Sequence, residues 1–146
     1  MRVRRILVFA AIVAALSLTT VLAGTVAAGG RPFHLSLSGA AEVPLGDPDG
    51  TGTATILINA GQSEVCYDYS VSGVALPIAA AHIHVAPVGV AGPVVIPLPP
   101  TRADGGTGCV TADRSLLIAI LTNPENYYFN VHNAEFPTGA LRAQLG

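Results

Sequence analysis

Three of the four histidines in this 146-residue chain are spaced for coordination chemistry. His82 and His84 flank Ile83 in the run Ala80-Ala-His-Ile-His-Val85. Alternate residues of a strand project from the same face, so both imidazoles would stand side by side, opposite Ile83. His132, in Asn130-Val-His-Asn133, points away from the side occupied by Phe129 and Val131. If the two strands pair, three imidazoles converge on one polar surface. Neutral imidazole is a common ligand for Zn and Cu, and three of them leave an open coordination position. The favoured reading is of half-exposed strand histidines hydrogen-bonded to Asn130, Asn133 or Glu135. The alternative is a Cu or Zn site formed by His82, His84 and His132. His34 reads as an ordinary polar residue on the outer face of the first strand.

Other chemistry is sparse. Glu42, in Ala-Glu-Val-Pro, and Arg142, near the C-terminus, are charged residues in a chain only 11% charged. A lone Arg in such a setting often meets a carboxylate across a sheet, so a structural Glu42–Arg142 ion pair is expected to pin the first and last strands. No catalytic residue is assigned: nothing in the sequence has the pattern of a nucleophile elbow, a P-loop or a dinucleotide fingerprint. Gly105-Gly-Thr-Gly108 lacks the strand-to-helix context that such a fingerprint needs and reads as a flexible loop. Three of the seven basic residues, Arg2, Arg4 and Arg5, sit in the first five positions, so four Arg face nine acids in the remainder. That balance excludes nucleic-acid binding driven by phosphate neutralisation.

The elements that must hold these groups alternate with period two. Phe33, Leu35 and Leu37 alternate with His34, Ser36 and Ser38. Residues 51–59 set Ala54, Ile56 and Ile58 against threonines, and 64–73 put Val65, Tyr67, Tyr69 and Val71 on one face. Further strands are expected over 80–86, 93–98, 108–111, 126–132 and 139–145, the last with Leu141, Ala143 and Leu145 opposing Arg142 and Gln144. The turn cluster Pro44-Leu-Gly-Asp-Pro-Asp-Gly50 separates the first two. Residues 113–122 have no alternation, begin with the N-cap residue Asp113 and stop at Asn123-Pro124, so they predict one short helix. With 16 Gly and 11 Pro, the fold class is all-β, an antiparallel Greek-key β-sandwich, immunoglobulin-like or superoxide-dismutase-like, with one short helix.

Residues 1–28 read as a secretory signal: an Arg-rich start, an apolar stretch over 6–18 and a small-residue exit, with cleavage after Ala23 or Ala28. An uncleaved membrane anchor is the rival, since 23 mostly apolar residues suffice to cross roughly 30 Å of hydrocarbon. Residues 29–146 would then form one secreted or extracytoplasmic domain. The cysteines fit that compartment, because an even count in an exported chain favours a disulfide. A Cys66–Cys109 bridge would close a loop of about 42 residues, valued at roughly 3 to 4 kcal/mol. Two buried thiols are the alternative.

The runs Leu37-Ser-Gly-Ala-Ala-Glu-Val-Pro44, Thr51-Gly-Thr-Ala-Thr55, Val71-Ser-Gly73, Ala81-His-Ile-His84, Gly92-Pro-Val-Val95, Tyr127-Tyr-Phe-Asn-Val-His132 and Pro137-Thr-Gly-Ala-Leu-Arg-Ala-Gln-Leu145 resemble, in order, those of a CHRD domain. This module is named after chordin, an extracellular antagonist of bone morphogenetic proteins, and also occurs in secreted bacterial proteins. The Cys66 and Cys109 contexts resemble the bacterial single-domain members, in which a disulfide is expected. The resemblance implies an all-β extracellular domain without established catalytic residues, hence an exported, non-enzymatic binding or structural module. Its partner would be an extracytoplasmic protein or glycan, with the membrane involved only if the leader is kept. Where the family's last motif has a Glu and a Gly, this chain has Ala140 and Ala143, while Arg142 remains. The HxH strand with a later lone His also resembles, locally, copper–zinc superoxide dismutase. The alternative function is therefore a His-based Cu/Zn-binding domain with redox activity, although only Asp104 and Asp113 follow as candidates for a second metal's ligands.

Overall fold

The structure is a computed structural model that describes residues 29–146. The leader expected over residues 1–28 lies outside them. Eight antiparallel strands form the body: β1 (Arg31–Ser38), β2 (Thr51–Asn59), β3 (Glu64–Ser72), β4 (Ala80–Val85), β5 (Val94–Pro97), β6 (Gly105–Thr111), β7 (Tyr127–His132) and β8 (Leu141–Gln144). One helix, α1 (Arg114–Thr122), links β6 to β7. Asp113 caps it as expected, its carboxylate accepting from the backbone N–H groups of Ser115 and Leu116. Leu117 and Ile120 from its inner face are fully buried.

All eight strands belong to one sheet, in the order β5-β4-β7-β8-β1-β2-β3-β6. The two faces of the expected sandwich are thus the two halves of a single curled sheet, joined at the β1–β8 seam by one residue pair, Ser38 opposite Arg142. The curl follows from a distance. Four strand spacings separate β7 from β3, about 19 Å if the sheet were flat. Yet the rings of Tyr69 on β3 and Phe129 on β7 lie 5.2 Å apart. The halves must fold over one another, and the apolar alternation explains why. Phe33, Leu35, Leu37, Ile56, Ile58, Val65 and Tyr69 from one half bury against Ile83, Ile96, Phe129, Val131 and Leu141 from the other.

One expectation changes. The run Gly105-Gly-Thr-Gly108 is not a loop: it begins β6, pairing with Ser70, Tyr69, Asp68 and Tyr67 on β3. Glycine serves close approach there, because a Cβ on Gly105 would sit 2.1 Å from the Tyr69 carbonyl oxygen. The face of β7 and β8 opposite the core is not bare. Tyr128, Asn130 and Arg142 are 3%, 1% and 2% exposed, because chain segments between strands roof this polar face. The cysteines, in contrast, are directly paired across β3 and β6 and form a disulfide with an S–S distance of 2.07 Å. Among the described residues, no helix is long and apolar enough to cross a membrane.

Candidate metal centre

Strand register assembles the centre. On β4 and β7, His82 faces Asn130, His84 faces Tyr128, and Ala80 faces His132. On the next strand Asn130 faces Arg142 and Tyr128 faces Gln144. Period two places His82, His84, Tyr128, Asn130, His132, Arg142 and Gln144 on one face, with Ile83, Phe129 and Leu141 in the core beneath.

The three histidines expected to act together do converge. One ring nitrogen from each of His82, His84 and His132 lies within 4.8 Å of the other two. His82 Nδ1 and His132 Nε2 are 3.1 Å apart. Two nitrogens bound to one tetrahedral Zn at about 2.0–2.1 Å stand roughly 3.3–3.4 Å apart, so this spacing is close to a coordination edge.

The far side of each ring shows which nitrogen is available. His84 Nδ1 donates to the Gly92 carbonyl at 2.8 Å, since a carbonyl can only accept. Its Nε2 keeps the lone pair and is buried without a hydrogen-bond partner. His132 Nδ1 donates to the Pro137 carbonyl at 3.1 Å, leaving the lone pair of Nε2 to face His82; the Asn130 Oδ1, 3.1 Å from that nitrogen, is a second acceptor and so a contact, not a hydrogen bond, of the neutral ring. A ring N–H anchored on a backbone carbonyl, with the opposite nitrogen free, is how proteins orient metal-binding imidazoles. The Tyr128 ring stacks on His84 at 4.7 Å, and its hydroxyl accepts from Gly92 N–H.

Electrostatics keep the rings neutral. Burial lowers the His82 pKa to about 4, helped by His132 and His84. Burial also lowers His84, against an opposing hydrogen bond to Gly92, and lowers His132. Neutral imidazole is the ligand form, so nothing needs to be deprotonated near pH 7.

The remaining residues of interest sit around this face. His34 is on β1 in the other half, beside the Thr55 hydroxyl and away from the centre. The β1–β8 seam brings Glu42 into the neighbourhood of Arg142; burial raises the Glu42 pKa, and the Arg142 charge opposes that only in small part. The expected ion pair does not form, however, because the Arg142 guanidinium is otherwise engaged. It donates to the Val90 and Pro87 carbonyls at 2.9 Å each and to Gln144 Oε1 at 3.1 Å, and lies 3.4 Å over the Tyr128 ring. Arg142 thus ties down the segment between β4 and β5 that also carries Gly92. Among the described residues, the ion pairs are those of Arg102 with Asp68 and Asp104.

Of the competing partners for the histidines, Asn130 is correct. Asn133 instead holds the Ala75 carbonyl and the Phe136 N–H. Tyr128, Gly92 and Pro137 were missed. Two of them act through backbone carbonyls, which carry no side-chain signal, and the Tyr128 position was readable only as the same face as His84.

The family model for the CHRD domain matches residues 33–145. No curated protein and no solved structure is significantly similar to the chain. Every residue of the histidine centre, and every strand apart from the first two residues of β1, falls inside the matched span, and the chain belongs to the CHRD-domain family.

Proposed function

We propose that this CHRD domain is an exported, non-enzymatic module that holds one Cu or Zn ion at His82, His84 and His132. The observation that carries the reading is the convergence of three imidazoles, two of them anchored through Nδ1–H on backbone carbonyls with Nε2 turned inward. In the metal-free chain, a proton on His82 Nδ1 bridges to His132 Nε2. An ion would take that proton's place, the proton moving to His82 Nε2 so that the ring stays neutral, and would also satisfy His84 Nε2. Three neutral nitrogens suit Cu or Zn better than Ca or Mg, which favour oxygen. The disulfide and the Arg-led apolar N-terminus support export.

The test is metal content of the purified, oxidised protein after exposure to Cu or Zn and removal of excess. One ion per chain is expected, falling to none in a His82→Ala, His84→Ala double variant. No ion in the wild type, or the same content in the variant, would sink the reading.

A further inference from the structure

Glu42 is a buried carboxylate that the fold alone does not explain. It is 4% exposed. One oxygen accepts a long hydrogen bond, 3.4 Å, from Val43 N–H, while Oε1 is buried with no partner. Arg142, the nearest candidate counter-ion, sends its donors to Pro87, Val90 and Gln144. The chain nonetheless makes room for this group: Gly139, at φ +145°, lies against it, and a Cβ there would come within 2.4 Å of Oε1. An acid buried without full compensation is costly to a fold, and a neutral residue of the same shape would serve packing as well or better.

The position of the carboxylate suggests its use. Gly139, packed against the Glu42 carboxylate, lies two residues before β8, whose Arg142 faces Asn130, so the Asn130 side chain is near enough to lower the Glu42 pKa against the larger effect of burial, and the Asn130 Oδ1 lies 3.1 Å from His132 Nε2. Asn130 stands directly between His82 on β4 and Arg142 on β8. The charged and titratable groups around Glu42 are therefore Arg142, whose charge reaches it directly, and the three histidines beyond Asn130. With neutral imidazoles and one buried guanidinium, adding a metal cation leaves this face with excess positive charge. Glu42 is a buried carboxylate beside Asn130 and Arg142, two residues of that face.

We propose that Glu42 is the buried counter-charge of the histidine centre, a positioning residue that acts on the bound ion through Asn130 and is not itself a ligand. This rests on the metal-binding reading above. Outer groups that orient and balance metal ligands commonly change affinity by about 10- to 100-fold without changing the ligand count.

The experiment compares wild type with Glu42→Gln by chelator competition for Zn and Cu and by melting of the metal-free protein. Glu42→Gln is expected to bind one ion per chain about 10- to 100-fold more weakly, while melting metal-free at or above the wild-type temperature. A merely structural glutamate would give the reverse: a lower metal-free melting temperature and an affinity within about threefold of wild type, and that result would overturn the proposal. Should Glu42→Gln not fold, Glu42→Met removes the same charge with similar bulk and is read by the same criteria. A wild type that binds no ion overturns both this proposal and the metal reading. Binding by the wild type that Glu42→Gln leaves unchanged overturns this one alone.

Discussion

The two halves of the sheet share one core but treat their opposite faces differently. On β2 and β3, Thr51, Thr53, Thr55, Asp68, Ser70 and Ser72 face solvent, as one face of an antiparallel sheet commonly does. On β4, β7 and β8 the corresponding face carries His84, Tyr128, Asn130 and Arg142, all buried under the segments that follow β4 and β7. Covering polar groups costs desolvation that a solvent-facing sheet avoids. The first half demonstrates that this fold does not require such a cover, so the covered face is where a function beyond folding should be sought.

The sharpest way to break the comparison is through one arginine from each half. Arg142 is 2% exposed and holds two backbone carbonyls and Gln144 over the face of Tyr128. Arg142→Ala leaves those acceptors buried and unpaired and opens a void, so unfolding free energy should fall by about 3–5 kcal/mol. Arg102, in the other half, pairs with Asp68 and Asp104 with its own side chain 38% exposed and donates to one backbone carbonyl, that of Tyr69, where Arg142 holds two. Its surface ion pairs are worth about 0–1 kcal/mol, and Arg102→Ala should cost little more than that. Denaturant melts of the two variants decide it. Equal losses would mean that the roofed face is no more tightly held than the open one.

The disulfide tests the same contrast from the open side. Cys66 and Cys109 join β3 to the edge strand β6, whereas the roofed half has no covalent link. Reduction, or a Cys66→Ala, Cys109→Ala double variant, should lower stability by about 2–4 kcal/mol through the freed loop. Because the bridge is in the other half, metal content at the histidines should survive at temperatures where the reduced protein remains folded. Loss of the ion on reduction while the fold persists would show that the halves are coupled.

How much of this was legible depended on what a period of two can report. Strand alternation reveals which side chains share a face, and that was enough to bring His82, His84 and His132 together and to place Phe129 and Val131 in the core. It does not reveal what covers a face. The Gly92 and Pro137 carbonyls that fix two imidazoles belong to irregular segments distant in sequence, and a main-chain oxygen looks the same beneath any residue. The Glu42–Arg142 expectation had the neighbourhood right and the contact wrong for the same reason: backbone acceptors competed successfully for the guanidinium. The glycines of β6 misled in the opposite direction, since closeness to Tyr69 requires the residue type that usually marks a loop.

The smallest expected effect lies in pH. In the metal-free protein His82, His84 and His132 are all held below the usual 6.5, His82 at about 4, chiefly because burial disfavours the imidazolium. The unfolded chain therefore binds more protons than the folded one as pH falls through this window, and stability should decline between about pH 6.5 and 4, then level off for His82. Glu42 works in the opposite sense: burial raises its pKa above 4.5, so its contribution is present at low pH and is lost as pH rises through the folded value. Three histidines against one glutamate leave a net loss on acidification, a fall of several degrees in melting temperature from pH 7 to pH 4.5. The difference between wild type and His82→Gln isolates the contribution of this imidazole from everything the two proteins share. A His82→Gln curve parallel to wild type across that window would mean that the imidazole titrates as if in water, and that the roof over this face does not exclude solvent as the covered side chains indicate.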